Sequence, residues 1–341
     1  MVFAILKALS RAVERDLATL ESLKVNNFFL FVALLIYGAL VSGVKPVSAE
    51  PFLLLLGFLL LFPLSSDPLD KIPPQRLDSW PLTRGQRLAL RLASLGLSPV
   101  LWLTVSILLL TSPALALFFL GVAVGIQSLI VCGSRWAARV PAWNPQRSIP
   151  QLPGRLGGMI RNDMREMLSL LDPYLAALLA IAGSAYRLLS AHPDPSAFPI
   201  LALLVALALS TYAQCLFGLD SASGVSRFRL LPLRGWQILL AKDIAFLGIL
   251  WVLVLPLSPG PGMTFGFAAL AIGHFPSVGR HSPQRRWRFT GGKLVFGVAQ
   301  MLSGFMLGLA EYQQGVWFLA VTSATWLVSL YRCGKLWEAG R

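Results

Sequence analysis

Charge is what this 341-residue chain has least of: 13% of its residues are charged, against about 25% in a soluble domain. Acidic residues are the scarcer sign, with 15 Asp and Glu against 29 Lys and Arg. Cysteine occurs three times, at the widely spaced Cys132, Cys215 and Cys333, which gives neither a disulfide framework nor zinc-type pair spacing. Three scattered histidines, His192, His274 and His281, exclude a sequence-level metal cluster. A small-residue cleavage site is also missing, because the charged run Arg11-Ala-Val-Glu-Arg-Asp16 follows a short apolar stretch, so the N-terminus does not read as a cleavable leader. No His-Glu-x-x-His, no clustered acids for magnesium and no nucleophile beside a base stand in the sequence, which weighs against an intramembrane enzyme. The best phosphate-loop candidate, Thr290-Gly291-Gly292-Lys293, has Trp287 where the upstream glycine belongs, so it reads as a loop end and a boundary lysine.

What fills the chain instead is apolar: 56% hydrophobic residues and a mean hydropathy of +0.69. The expected class is an all-α polytopic membrane protein. Spans are expected at about 26–43, 50–64, 92–110, 114–132, 173–190, 198–217, 243–258, 262–277, 294–310 and 314–331, ten in all. Every Lys and Arg except Lys45 and Arg187 then falls on the side that holds both termini. That positive-inside pattern places both termini in the cytoplasm of a cell (inner or plasma) membrane and removes the reason to read the net charge of +14 as nucleic-acid binding.

Two segments recur about 150 residues apart. Arg11-Ala-Val-Glu-Arg-Asp-Leu-Ala-Thr-Leu20 matches Arg161-Asn-Asp-Met-Arg-Glu-Met-Leu-Ser-Leu170, each amphipathic at helical spacing and suited to the membrane interface. Arg76 to Arg91 matches Arg227 to Lys242 through Pro81-Leu82 and Pro232-Leu233, Gln86 and Gln237, Leu88 and Leu239, and the terminal base. The expected architecture is two unequal parallel repeats, 1–150 with an interfacial helix and four spans, and 151–341 with an interfacial helix and six.

In each copy the proline suits the start of a short helix leading into the third span, with Thr83 a cap in the first. A rigid helix carrying exposed Pro81, Leu82, Arg84 and Gln86, or Pro232, Leu233, Arg234, Trp236 and Gln237, is fit to dock on a cytoplasmic partner. Arg91 and Lys242 read as membrane-boundary anchors, with Asp243 pairing locally to Lys242. Neutral polar residues inside spans, Gln127, Tyr212, Gln214 and Gln300, serve either a substrate path or helix contacts. Glu311 is expected in an outer turn, solvated or at an exit path. With so few charges inside spans, no proton relay or sodium site is visible, which weighs against an ion-coupled secondary transporter.

The run Phe217-Gly218-Leu-Asp220 followed by Leu231-Pro232-Leu-Arg-Gly-Trp-Gln237-Ile-Leu-Leu-Ala-Lys242 resembles the type-2 ABC exporter permeases. Members of that family carry Phe-Gly-x-Asp and then Leu-Pro-x-x-x-x-x-Ile-Leu-x-x-Lys before their third span. The resemblance covers about 25 residues by motif and most of the chain by layout; in the first half, Asp70 and Asp78 do not align with Asp220. It implies an interfacial helix before the first span and a coupling helix, Asp220 included, that docks on an ABC ATPase. It further implies that ATP and Mg are bound by two copies of that ATPase, with no cofactor in this chain. Membrane lipid would be the other partner. The permease would be either a homodimer or a single-chain pseudo-dimer, exporting a hydrophobic or amphipathic substrate.

Overall fold

The computed structural model describes residues 5–11, 24–32, 34, 80, 82–97, 101–102, 105–106, 108–109, 113–137, 150, 153–220, 228, 232–279, 284, 286 and 288–339. Nearly all of these are helical, in keeping with an all-α membrane protein. The chain forms two units, one of residues 1–23 and 33–143, the other of 24–32 and 144–341. Residues 24–32 belong with the second unit although they precede most of the first in the chain.

In the first unit, helix α1 (Arg84–Gly96) and helix α2 (Pro113–Ala137) are described at length. Leu95, Leu101, Val105, Leu108, Ala116, Phe119 and Ala123 close one apolar core. Leu9, from helical residues 5–11, packs with Leu90 of α1. The expected spans at 26–43 and 50–64, and the proline at position 81, fall largely or wholly outside the described residues.

The second unit holds β1 (Lys24–Val25), α3 (Gly157–Met167), α4 (Asp172–Leu189), α5 (Ala197–Ser210) with the 3-10 turn Thr211–Cys215, α6 (Gly235–Val254), α7 (Pro259–Gly279), β2 (Gly292–Lys293), α8 (Leu294–Gln314) and α9 (Trp317–Ala339). Amphipathic spacing explains α3: Ile160 and Met164 turn toward the small Ala241 and Ala245 of α6, which allow the two helices to approach. A bend of 80° separates α3 from α4. Helix α5 is the most enclosed, while α4, α8 and α9 turn large apolar side chains outward, among them Leu178, Ile181, Val295, Met306, Val321 and Val328. Such a surface is satisfied by hydrocarbon rather than water.

Among the described residues, three helices are long and apolar enough to cross a membrane: Ala197–Cys215, Gly235–Val254 and Leu294–Gln314. The bent pair α3 and α4 makes a fourth if it counts as one span. Ten spans are therefore not reached among the described residues. Helix α6 is continuous from Gly235, so the short helix expected after Pro232 and the span expected from 243 form one element. Apolar run length marks where hydrocarbon begins, whereas the N-cap marks where the helix begins, and here they differ by two turns.

Candidate functional site

The two repeated segments start their helices in the same way. Thr83 and Arg234 are the N-cap residues of α1 and α6, both extended, with φ, ψ of −66°, 160° and −73°, 149°. Gln86 Oε1 accepts from Thr83 N at 3.0 Å and Gln237 Oε1 accepts from Arg234 N at 2.9 Å. In α1 the Thr83 hydroxyl accepts in return from Gln86 N at 3.3 Å, which closes a capping box. Arg234 has no side-chain acceptor, so α6 keeps only half of that device. The recurring glutamine thus has a local task, turning its amide oxygen back onto the cap. Leu82 is half-buried against the Leu9 and Leu90 cluster, and Gly85 and Gln86 are exposed. Arg84 is the first residue of α1, and Pro232 and Arg234 are exposed, with Leu233 and Trp236 half-buried.

Downstream the two segments part. Arg91 is half-buried in α1. Its counterpart Lys242 is wholly buried. Its Nζ lies 3.0 Å from Asp163 Oδ1 of α3 and 2.9 Å from Asp220 Oδ2, with side-chain exposures of 0%, 2% and 6% for the three residues. The rings of Phe217 and Phe228 stand 5.0 Å and 5.5 Å from the ammonium. One lysine therefore joins α6, the interfacial-type helix α3 and the Phe217-Gly-Leu-Asp220 element. Two carboxylates held by a single cation leave an excess of negative charge, and Asp163 Oδ2 is buried without a hydrogen-bond donor.

Asp243 does not pair with Lys242. Its carboxylate faces the other way, 3.0 Å from His274 Nε2 of α7, and accepts from Trp326 Nε1 of α9 at 2.8 Å. His274 Nδ1 in turn meets Ser329 Oγ at 3.0 Å, and that hydroxyl donates to Ala271 O at 2.8 Å. Asp243, His274 and Lys242 are all fully buried, so ionisable groups do stand inside the helices, against the sequence expectation. Their pairings were not legible because the partners of Lys242 and Asp243 stand on other elements of the chain. Ser329, His274 and Asp243 also have the reach of a nucleophile, a base and its orienting acid. Ser329 lies mid-helix, however, where neighbouring amides are engaged in the α9 ladder and none is left to stabilise an oxyanion.

The last turns of α9 close over the start of α6. Gly235 N donates to Glu338 Oε1, and Trp337 stacks on Phe217 with centroids 6.2 Å apart. A Cβ at Gly334 would stand 2.6 Å from Trp236 Cα, so only glycine allows this approach.

Of the proposed substrate-path residues, Gln214 and Gln300 are buried and bonded to each other at 2.7 Å. Gln214 also accepts from Lys293 N, and Gln300 donates to Ala269 O. Tyr212 is buried with its ring stacked on Phe246 at 6.5 Å. These contacts join the 3-10 turn to β2, α6 and α8, and α8 to α7. The side chain of Gln127 lies outside the described residues. Glu311 is not in a turn: α8 runs on to Gln314 and ends at Gly315, whose φ of 96° breaks the helix, leaving Glu311 half-buried beside Gly260. The His192-Pro-Asp194 segment is a turn, in which the Ser196 hydroxyl and amide hold the Asp194 carboxyl below its ordinary value. Thr290 and Gly292 are buried in contacts with Asp172 and Gln214 respectively, while Gly292–Lys293 forms β2.

Against known protein families, curated proteins and solved structures, the chain matches none.

Proposed function

We propose that this chain is the membrane-spanning subunit of an ATP-driven exporter, with both termini in the cytoplasm and a separate ATPase docked near Pro232 and Arg234. The observation that carries this reading is the Lys242 cluster. The motif residues Asp220 and Lys242 were singled out by resemblance, and they meet each other and Asp163 of α3 in one buried ionic joint. Force applied to the exposed Pro232–Arg234 segment would reach α6 through its cap and Glu338. From α6 it would pass through Lys242 to α3, and across the bend into α4. That is the linkage an alternating-access pump driven from the cytoplasm needs. The outward apolar faces fit lipid as the surrounding partner, and a hydrophobic or amphipathic cargo fits a path walled by apolar helices.

The test is to purify the full-length chain with its co-expressed ATPase, detected by a photoreactive ATP analogue, and compare wild type with Pro232→Ala/Arg234→Ala. At least a tenfold loss of captured ATPase is expected in the variant. Equal capture removes the segment from docking, and no ATPase on wild type sinks the exporter reading.

A second reading, a lipid-directed serine hydrolase, has the Ser329–His274–Asp243 alignment in its favour. Labelling of Ser329 by a fluorophosphonate would establish it. The donation of the Ser329 hydroxyl to Ala271 O and the lack of free amides beside it favour a structural knot between α6, α7 and α9.

A further inference from the structure

Residues 24–32 head the first span of the first sequence repeat, yet structurally they belong to the second unit. Lys24–Val25 pairs antiparallel with Gly292–Lys293. The next two residues, Asn26 and Asn27, are each 1% exposed, and beside two local bonds that Asn26 accepts from Phe28 N and Leu30 N, they bond across to other elements of the second unit. Asn26 Nδ2 donates to Asp172 Oδ1 at 2.8 Å and to Thr290 O at 3.1 Å, while its Oδ1 accepts from Phe28 N at 3.0 Å. Asn27 N donates to Thr211 Oγ1, and its Nδ2 donates to Ser210 Oγ and Gln300 Oε1, all at 2.8 Å. Its Oδ1 sits against Gly297, where any Cβ would collide with it. Phe29 meets Phe289 edge-on at 4.9 Å and Phe31 stacks on Phe305 at 5.0 Å.

Taken away, this segment would leave the fully buried Asp172 short of a donor, and Ser210, Thr211 and Gln300 short of a partner. Buried groups so orphaned are costly, so the second unit is built to hold an Asn-Asn-Phe-Phe insert. Two sources have the right chemistry: the same chain, or the identical segment of a second copy. Covalent linkage puts the chain's own segment at a millimolar-range effective concentration, and one occupant excludes the other. We propose that the slot is filled in cis, so that a single chain completes its own bundle and works as one copy rather than as a pair exchanging segment 24–32. The cis occupancy does not rest on the exporter reading.

Cross-linking in the full-length chain tests this. Phe31→Cys/Phe305→Cys, oxidised in membranes, is expected to give an intrachain disulfide, found by mass spectrometry in a band of monomer size. Differently tagged Phe31→Cys and Phe305→Cys chains, co-expressed, are expected to give no mixed dimer above the level of either single variant alone. A photoreactive phenylalanine at Phe31 repeats the test without disturbing the ring stack, and should capture α8 of its own chain. Asn27→Leu in that background should lower the yield at least tenfold. A mixed dimer overturns the proposal, and so does capture of α8 by neither probe. All of these readouts are taken without an ATPase, so they stand or fall separately from the exporter reading, which fails on ATPase capture.

Discussion

The starts of α1 and α6 differ in one respect that their sequences conceal. Both follow Pro-Leu, both begin from an extended cap, and both fold a glutamine side chain back onto that cap. After that, α1 carries Arg91 half-buried, while α6 carries Lys242 into a closed site with two acids. A cap is a local device that a few residues can specify. An ionic joint needs partners from elsewhere, and only the second segment is preceded by a Phe-Gly-x-Asp element and an acid at position 163. Similar local sequence thus starts a helix in both places, and in one of them also supplies the cation of a buried ionic cluster.

The largest expected effect breaks this contrast at its centre. Lys242→Ala leaves Asp163 and Asp220 buried without their cation and should cost about 3–5 kcal/mol, the usual range when one partner of a buried ion pair is removed. Arg91→Ala should cost no more than about 0.5 kcal/mol. Unfolding of the full-length chain in detergent, followed by circular dichroism, compares them directly. Comparable losses would mean that the two bases do the same work.

The distinction also marks how far the sequence can be read. Apolar runs near 198–217 and 294–310 became helices at nearly the expected limits, because burying backbone in hydrocarbon forces helix formation. The amphipathic helix at 157–167 was legible from its spacing, and the cap at Thr83 from residue type. Lys242 and Asp243 were misplaced because adjacent opposite charges look like a local pair, whereas successive helical residues point about 100° apart and these two meet different helices. His274 and Ser329 lie 55 positions apart and carried no signal at all. Asn26 and Asn27 were not singled out either, since nothing local shows that their acceptors are Asp172, Ser210 and Gln300. Of the site, the sequence disclosed which residues to watch in α6 but not what they touch.

A smaller effect sharpens the shared part. Gln86→Ala and Gln237→Ala each remove the same acceptor from a cap amide, and each should cost about 0.5–1 kcal/mol. If Gln237→Ala also abolishes ATPase capture at unchanged stability, its amide contacts the partner after all and the cap assignment is incomplete.

The smallest effect concerns the half of the device that α6 lacks. Thr83 supplies a hydroxyl to Gln86 N, while Arg234 at the equivalent place supplies none. Arg234→Thr should install it, because the backbone at 234 is already extended and within a few degrees of the Thr83 conformation in φ. Stability should rise by about 0.5–1 kcal/mol, whereas Thr83→Ala should lose a similar amount. The same Arg234→Thr chain loses an exposed positive charge beside Pro232, so ATPase capture should weaken, and more so as salt is lowered from screening concentrations. A stabilised chain that binds less well would separate the two demands on this residue: a threonine makes the better helix start, and an arginine is retained where a partner must be met. A chain that is no more stable would show that the Glu338 carboxylate at Gly235 N already satisfies the first turn of α6.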